Sequence, residues 1–188
     1  MNLVTGYPRS GTMFLATLLT KCGVDMPHEG IGKDGTVSWF QAGERGRVFA
    51  KNPDPYQFDK VIQVVRNPVH VLRSVHTFRP EVWTFFEANL GKSPSDDFLV
   101  RGMYTWIQWN RKIEGLNNYL WKFRIEDKLS HEHLFAVLGH DMPKRLPELS
   151  PKINSRDCDP ITEEDLYKAD RRLAEDVFWL AEQYGYSF

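Results

Sequence analysis

The chain has 188 residues, a formal net charge of −1, 41% apolar residues and 13% aromatics, which suits one folded domain over residues 1–188 and not a disordered chain. That near-neutral balance gives no electrostatic reason to expect nucleic acid or a membrane surface as a partner, so any anion site must be a local cluster of positive groups. No apolar run approaches the roughly 20 residues that span a bilayer, strand-like residues begin at Leu3, and Cys22 and Cys158 are far apart with no CxxC pair. A soluble, cytoplasmic protein with two free thiols is the expectation.

In chain order, Leu3-Val4-Thr5 reads as a short buried strand closed by Gly6. Residues from about Ser10 to Cys22 have apolar side chains at helical spacing, with Gly23 as the stop. Further strands are expected at Val48–Ala50 and Val61–Val65. Asn67-Pro68 then opens a helix with Pro in its first turn. "SPSD", Ser93 to Asp96, reads as the cap of a long helix reaching about Ile113. Leu120 to Ile125 alternates apolar and basic residues, the pattern of a strand exposed on one side. Thr162, followed by three acids, caps one last helix that ends at Gly185. Strands alternating with helices imply a three-layer α/β/α domain around a parallel sheet. Met26–Gly46 and Met142–Ile161 read as long irregular segments.

Two segments carry chemistry. "VTGYPRSGTMFL", residues 4–15, sets Gly6 and Gly11 five apart between strand and helix. Such a turn aims backbone N–H groups and a helix dipole at an anion. In a Walker loop a Lys and a Ser or Thr follow the second glycine and handle phosphate and Mg²⁺; here those positions are Thr12 and Met13, and the cation is Arg9 inside the loop. The cradle is kept while the metal-binding hydroxyl is lost. In "VIQVVRNPVHVLRS", residues 61–74, Arg66 ends a strand and Ser74 follows eight positions later, expected on the second turn of the helix. A guanidinium and a hydroxyl so placed suit a second phosphate, although a salt-bridge role for Arg66 fits the sequence equally.

Together "YPRSGTMFL" and "RNPVHVLRS" resemble the two nucleotide-binding motifs of sulfotransferases that use 3′-phosphoadenosine 5′-phosphosulfate (PAPS). "AKNPDPY", "WIQWN", "FRIED" and "YGY" add weaker likeness. The resemblance implies a P-loop nucleoside triphosphate hydrolase-like fold and a PAPS donor that becomes 3′-phosphoadenosine 5′-phosphate (PAP). It implies that Arg9, Ser10, Gly11, Thr12 and Met13 hold the 5′-phosphosulfate, that Arg66 and Ser74 hold the 3′-phosphate, and that Arg156 in a late loop closes over the nucleotide. No metal is expected, because a sulfuryl group carries less charge than a terminal phosphoryl. It also implies a His or Glu base soon after the first helix, for which "PHEGIGKDG" offers His28 and Glu29. In a strand-like segment those neighbours point opposite ways, and Glu29 is the first choice. Lys51 matches a Lys that steadies charge on the bridging oxygen; an exposed Lys at a strand end is the equal alternative.

Tyr104, Trp106 and Trp109 suit core packing better than an acceptor pocket, and His131 and His133 in "HEH" read as a solvated helix start without a metal. The partners expected are a nucleotide donor and a hydroxyl-bearing acceptor (a sugar, a phenol or a small metabolite), and the short chain leaves room for a pocket completed by a second copy. The competing readings are a P-loop kinase, against which Thr12 and Met13 stand, and a non-catalytic nucleotide-binding protein.

Overall fold

The computed structural model describes residues 1–43, 58–127, 129–149 and 158–188. They form an α/β structure with a four-stranded parallel sheet and, among the described residues, seven α-helices. They group into two compact units. The first is drawn from residues 1–42, 58–66 and 113–149, and the second from Gly43, 67–112 and 158–188.

The first unit holds the sheet: β1 (Asn2–Thr5), β2 (Gly35–Val37), β3 (Lys60–Val65) and β4 (Tyr119–Arg124), in the order β2-β1-β3-β4. All neighbours run parallel, with Val4 opposite both Val37 and Ile62, and Val64 opposite Phe123. Period-two alternation sends those five side chains to one face. There they form a single core cluster with Leu15, Ala16 and Leu19 of α1 (Thr12–Lys21) and Leu134, Phe135 and Leu138 of α5 (Leu129–Leu138). β4 stands at one end of this order, opposite β2, and its alternation is as expected: Phe123 is buried, Trp121 and Ile125 pack on the core, and Leu120 is exposed. β2 was hidden inside a stretch that reads as irregular. Its Gly35 has no alternative, since a Cβ there would lie 2.0 Å from the Asn2 carbonyl oxygen.

Helix α1 ends as its sequence predicts. Gly23 takes φ 84°, its N–H reaches the Thr20 carbonyl, and the Val24 N–H reaches the Leu19 carbonyl at 2.9 Å. These two bonds make a Schellman motif, with Val24 and Leu19 both buried.

The second unit contains α2 (Pro68–Leu72), a 3₁₀ turn (Val75–Thr77), α3 (Pro80–Leu90), most of α4 (Phe98–Glu114), α6 (Glu163–Ala169) and α7 (Arg171–Gln183). Asn67 caps α2 through its side chain, which accepts from the Val69 N–H, and Pro68 takes the first helical position as expected. Three expectations are corrected. α3, with Pro80 in its first turn and Gly91 after it, stands where no helix was read. α4 is capped by Asp97 and not by Ser93: the Asp97 carboxylate accepts from the Leu99 and Val100 N–H groups, which a single carboxylate oxygen can do. The single last helix is two, because Asp170 is extended (φ −159°) and restarts the chain as the cap of α7. Thr162 forms the expected cap, as a full capping box with Asp165. Trp109 meets Phe85 and Phe86 edge-on at 5.4 Å, Trp106 meets Tyr184, and the Tyr104 hydroxyl donates to the Leu90 carbonyl, so these aromatics are packing residues.

No helix among the described residues is long and apolar enough to cross a membrane.

Candidate functional site

Because every strand runs the same way, their carboxyl ends share one edge of the sheet. The chain leaves β1 toward β2 on one side, and leaves β3 toward β4 on the other. In open α/β sheets ligands bind at such a reversal, here between β1 and β3. The Gly6–Gly11 loop follows β1 and Arg66 follows β3, so topology alone brings the two sequence signals to one place.

The loop is shaped by close approach. A Cβ on Gly6 would sit 2.2 Å from the Val64 carbonyl oxygen, and one on Gly11 would sit 2.8 Å from Ile125 Cγ1. Pro8 and Arg9 form a tight turn in which the Ser10 N–H donates to the Tyr7 carbonyl at 3.0 Å and Arg9 takes φ 73°, the pattern of a type II turn. Gly11, at φ 97°, opens α1 without a side-chain cap. The first amides of α1 have no partner within the helix and face outward with its positive dipole end. Arg9 and Gly11 are thus both left-handed, two positions apart, at the start of α1. Arg66 reaches this turn: its Nη1 donates to the Arg9 carbonyl at 3.3 Å. Ser10 and Thr12 are buried, and Arg9 and Met13 are partly exposed.

His28 lies at the same edge, bridged in parallel to Val37 at the end of β2. Its Nε2 is 3.2 Å from Thr12 Oγ1 in the loop and 3.8 Å from Glu29 Oε1. The expectation that His28 and Glu29 diverge is therefore corrected. Glu29 is not extended; it takes φ 56°, its N–H donates to the Val37 carbonyl, and its carboxylate comes round to its neighbour's ring. Burial holds the His28 imidazole below its ordinary pKa, and the Glu29 charge partly opposes this. Of the two, His28 is the one in contact with the loop.

α2 stops at Leu72, so Ser74 is not on its second turn; it opens the 3₁₀ turn and, buried, donates to the Val71 carbonyl at 2.8 Å. Lys51 and the strand at Val48–Ala50 lie outside the described residues, as does Arg156. His131 is not solvated. It is buried in α5, neither ring nitrogen has a hydrogen-bond partner among the described residues, and burial lowers its pKa. His133 lies edge-on to Trp121. Among the described residues no group of three or more His, Cys, Asp or Glu side chains is placed to hold a metal ion. Sequence reading missed β2 and the Thr12–His28 contact. Gly35 with β-branched Thr36 and Val37 was the available sign of the strand; nothing in the sequence pointed to the contact.

No protein-family model matches the chain, and neither a curated protein nor a solved structure does.

Proposed function

We propose that the chain is a P-loop-like sulfotransferase that moves the sulfuryl group of PAPS to an acceptor hydroxyl. The observation that carries this reading is the Arg66 guanidinium at the Arg9 carbonyl. It sets a cation from the end of β3 against the glycine loop at the end of β1, and two elements of a kind suited to anions, on adjacent strands, suit a donor with phosphate at both ends. Gly6 and Gly11 let the loop pack closely on Val64 and Ile125, and the first amides of α1 are the donors it would offer an anion. Arg9, Ser10, Gly11, Thr12 and Met13 would hold the 5′-phosphosulfate and Arg66 the 3′-phosphate. For Ser74, Lys51 and Arg156 a role in binding or chemistry rests on the sequence resemblance alone. When bound, the donor supplies an activated sulfuryl group. A bond forms from sulfur to the acceptor oxygen, the bond from sulfur to the phosphate oxygen breaks, and the electron pair leaves on the phosphate. His28 accepts the acceptor's proton; its depressed pKa keeps the ring neutral, as a base must be. Backbone amides and Arg9 offset charge gathering on the phosphate.

Calorimetric titration with PAP in the presence of a chelator tests this. PAP binds without Mg²⁺, and Arg66→Ala weakens it about 10- to 100-fold, the loss of a charged hydrogen-bond pair, while AMP binding is nearly unchanged. Failure of PAP to bind, or equal PAP affinity in Arg66→Ala, overturns the reading. Preference for Mg²⁺-ATP establishes the kinase instead.

A further inference from the structure

We propose that Glu29 is a positioning residue that, with the Thr12 hydroxyl, holds the His28 ring as its Nε2–H tautomer and leaves Nδ1 as the nitrogen that takes the acceptor's proton. The role of Nδ1 rests on the sulfotransferase reading; the tautomer does not.

The argument begins with the backbone. In an extended segment the side chains of residues 28 and 29 would leave opposite faces. The left-handed conformation of Glu29 abolishes that divergence, and the bond from its N–H to the Val37 carbonyl holds it there. A non-glycine residue at positive φ carries backbone strain, and such strain concentrates at functional sites. Here its result is specific: a carboxylate aimed at one ring nitrogen of the preceding residue.

Both oxygens near the ring face the same nitrogen. Thr12 Oγ1 is 3.2 Å from Nε2, and Glu29 Oε1 is 3.8 Å from it. An ionised carboxylate only accepts, whereas a hydroxyl can donate one hydrogen and accept on two lone pairs. A lone pair on Nε2 would face the carboxylate's own lone pairs. A hydrogen on Nε2 is drawn to both oxygens, and the lone pair then resides on Nδ1. This choice also frees the loop. If Nε2 were the acceptor, Thr12 would use its single hydrogen on His28 and have none for an anion. With Nε2–H donating, Thr12 accepts from His28 and keeps its hydrogen for the cradle. One hydroxyl thereby serves the base and the anion loop together. Among the described residues, Glu29 is the charged group acting on this ring.

Nitrogen-15 NMR of the full chain with labelled histidine tests the tautomer directly. Above the His28 titration midpoint, Nε2 shows the protonated-type signal and Nδ1 the lone-pair type. Glu29→Gln keeps the shape and loses the charge, so it shifts the ring toward a tautomer mixture and moves the midpoint to lower pH. Glu29→Asn, which tolerates the left-handed backbone better, behaves alike and guards against a misfolded Gln variant. In turnover, His28→Gln loses about 10²- to 10⁴-fold, the worth of a positioned base, and Glu29→Gln loses less, in kcat and not in the donor KM. An Nδ1–H tautomer in the wild-type chain overturns the proposal, as does an unchanged ring in both variants. So does Glu29→Gln losing as much turnover as His28→Gln with its tautomer intact, because Glu29 would then be the base. The expected tautomer in a chain that does not bind PAP leaves the positioning of His28 standing and rejects only the sulfotransferase reading.

Discussion

Single atoms decide the loop, and two glycines show how differently the same residue can be used. Gly6 is required for space: the Val64 carbonyl oxygen, part of the β3 backbone, lies 2.2 Å from where a Cβ would stand. Gly23 is required only for its dihedral, with φ 84° and nothing within 4 Å of an added Cβ. A strand backbone in mid-sheet cannot give way as a flexible side chain can. Gly6→Ala is therefore expected to cost about 3 kcal/mol, the upper part of the range for overpacking. Gly23→Ala is expected to cost about 1 kcal/mol, the strain of a left-handed alanine. Urea unfolding of the two variants checks the order, and a larger loss at Gly23 would mean that the loop does not pack on β3 as described.

Elements in this chain are set largely by their ends. Asp170 is extended between α6 and α7, and its side chain accepts from the Leu173 N–H at 2.9 Å. Removing that acceptor leaves an amide of the first turn of α7 without its partner, so Asp170→Ala is expected to lose about 1 kcal/mol. A shift in the denaturant midpoint measures it, and Asp170→Asn, which keeps an acceptor, should recover most of the loss. The same residue explains a limit of sequence reading. Leu166, Leu173, Val177, Leu180 and Tyr184 keep a helical stripe across the break, and periodicity cannot see one residue leaving helical dihedrals. β1, β3 and β4 were legible because buried or half-buried strands have their own pattern; β2, three residues long, offers too few positions to show one. The loop and Arg66 were legible as types at fixed spacing. The turn of Glu29 toward His28 was not, since it depends on a positive φ that glutamate rarely adopts.

At the scale of the whole molecule, His28, His131, Asp34 and Asp165, each with a lowered pKa, shape how stability depends on pH. His28 and His131 both belong to the sheet-bearing unit, and burial lowers the pKa of each below the ordinary 6.5. Glu29 and Asp127 respectively oppose that shift without reversing it. A histidine whose folded pKa is depressed binds fewer protons folded than unfolded, so stability rises with pH between the folded and unfolded values. Both contributions are therefore complete above about pH 6.5, and are lost as pH falls from there through the folded values. Below those values the loss levels off. Asp34, lowered by the hydrogen bond from the Asp25 N–H and by His140, and Asp165, lowered by its capping bonds to Thr162, act in a separate window. Their contributions are present above the ordinary 3.8 and vanish only as pH falls through their still lower folded values. Two descending steps are thus expected in unfolding free energy between pH 8 and 2, the first starting near neutrality. His131→Leu removes a buried ring with no hydrogen-bond partner among the described residues and should shrink the first step while leaving the second. Urea midpoints measured across that range decide it: an undiminished first step in His131→Leu would show that this histidine is not held neutral in the folded chain.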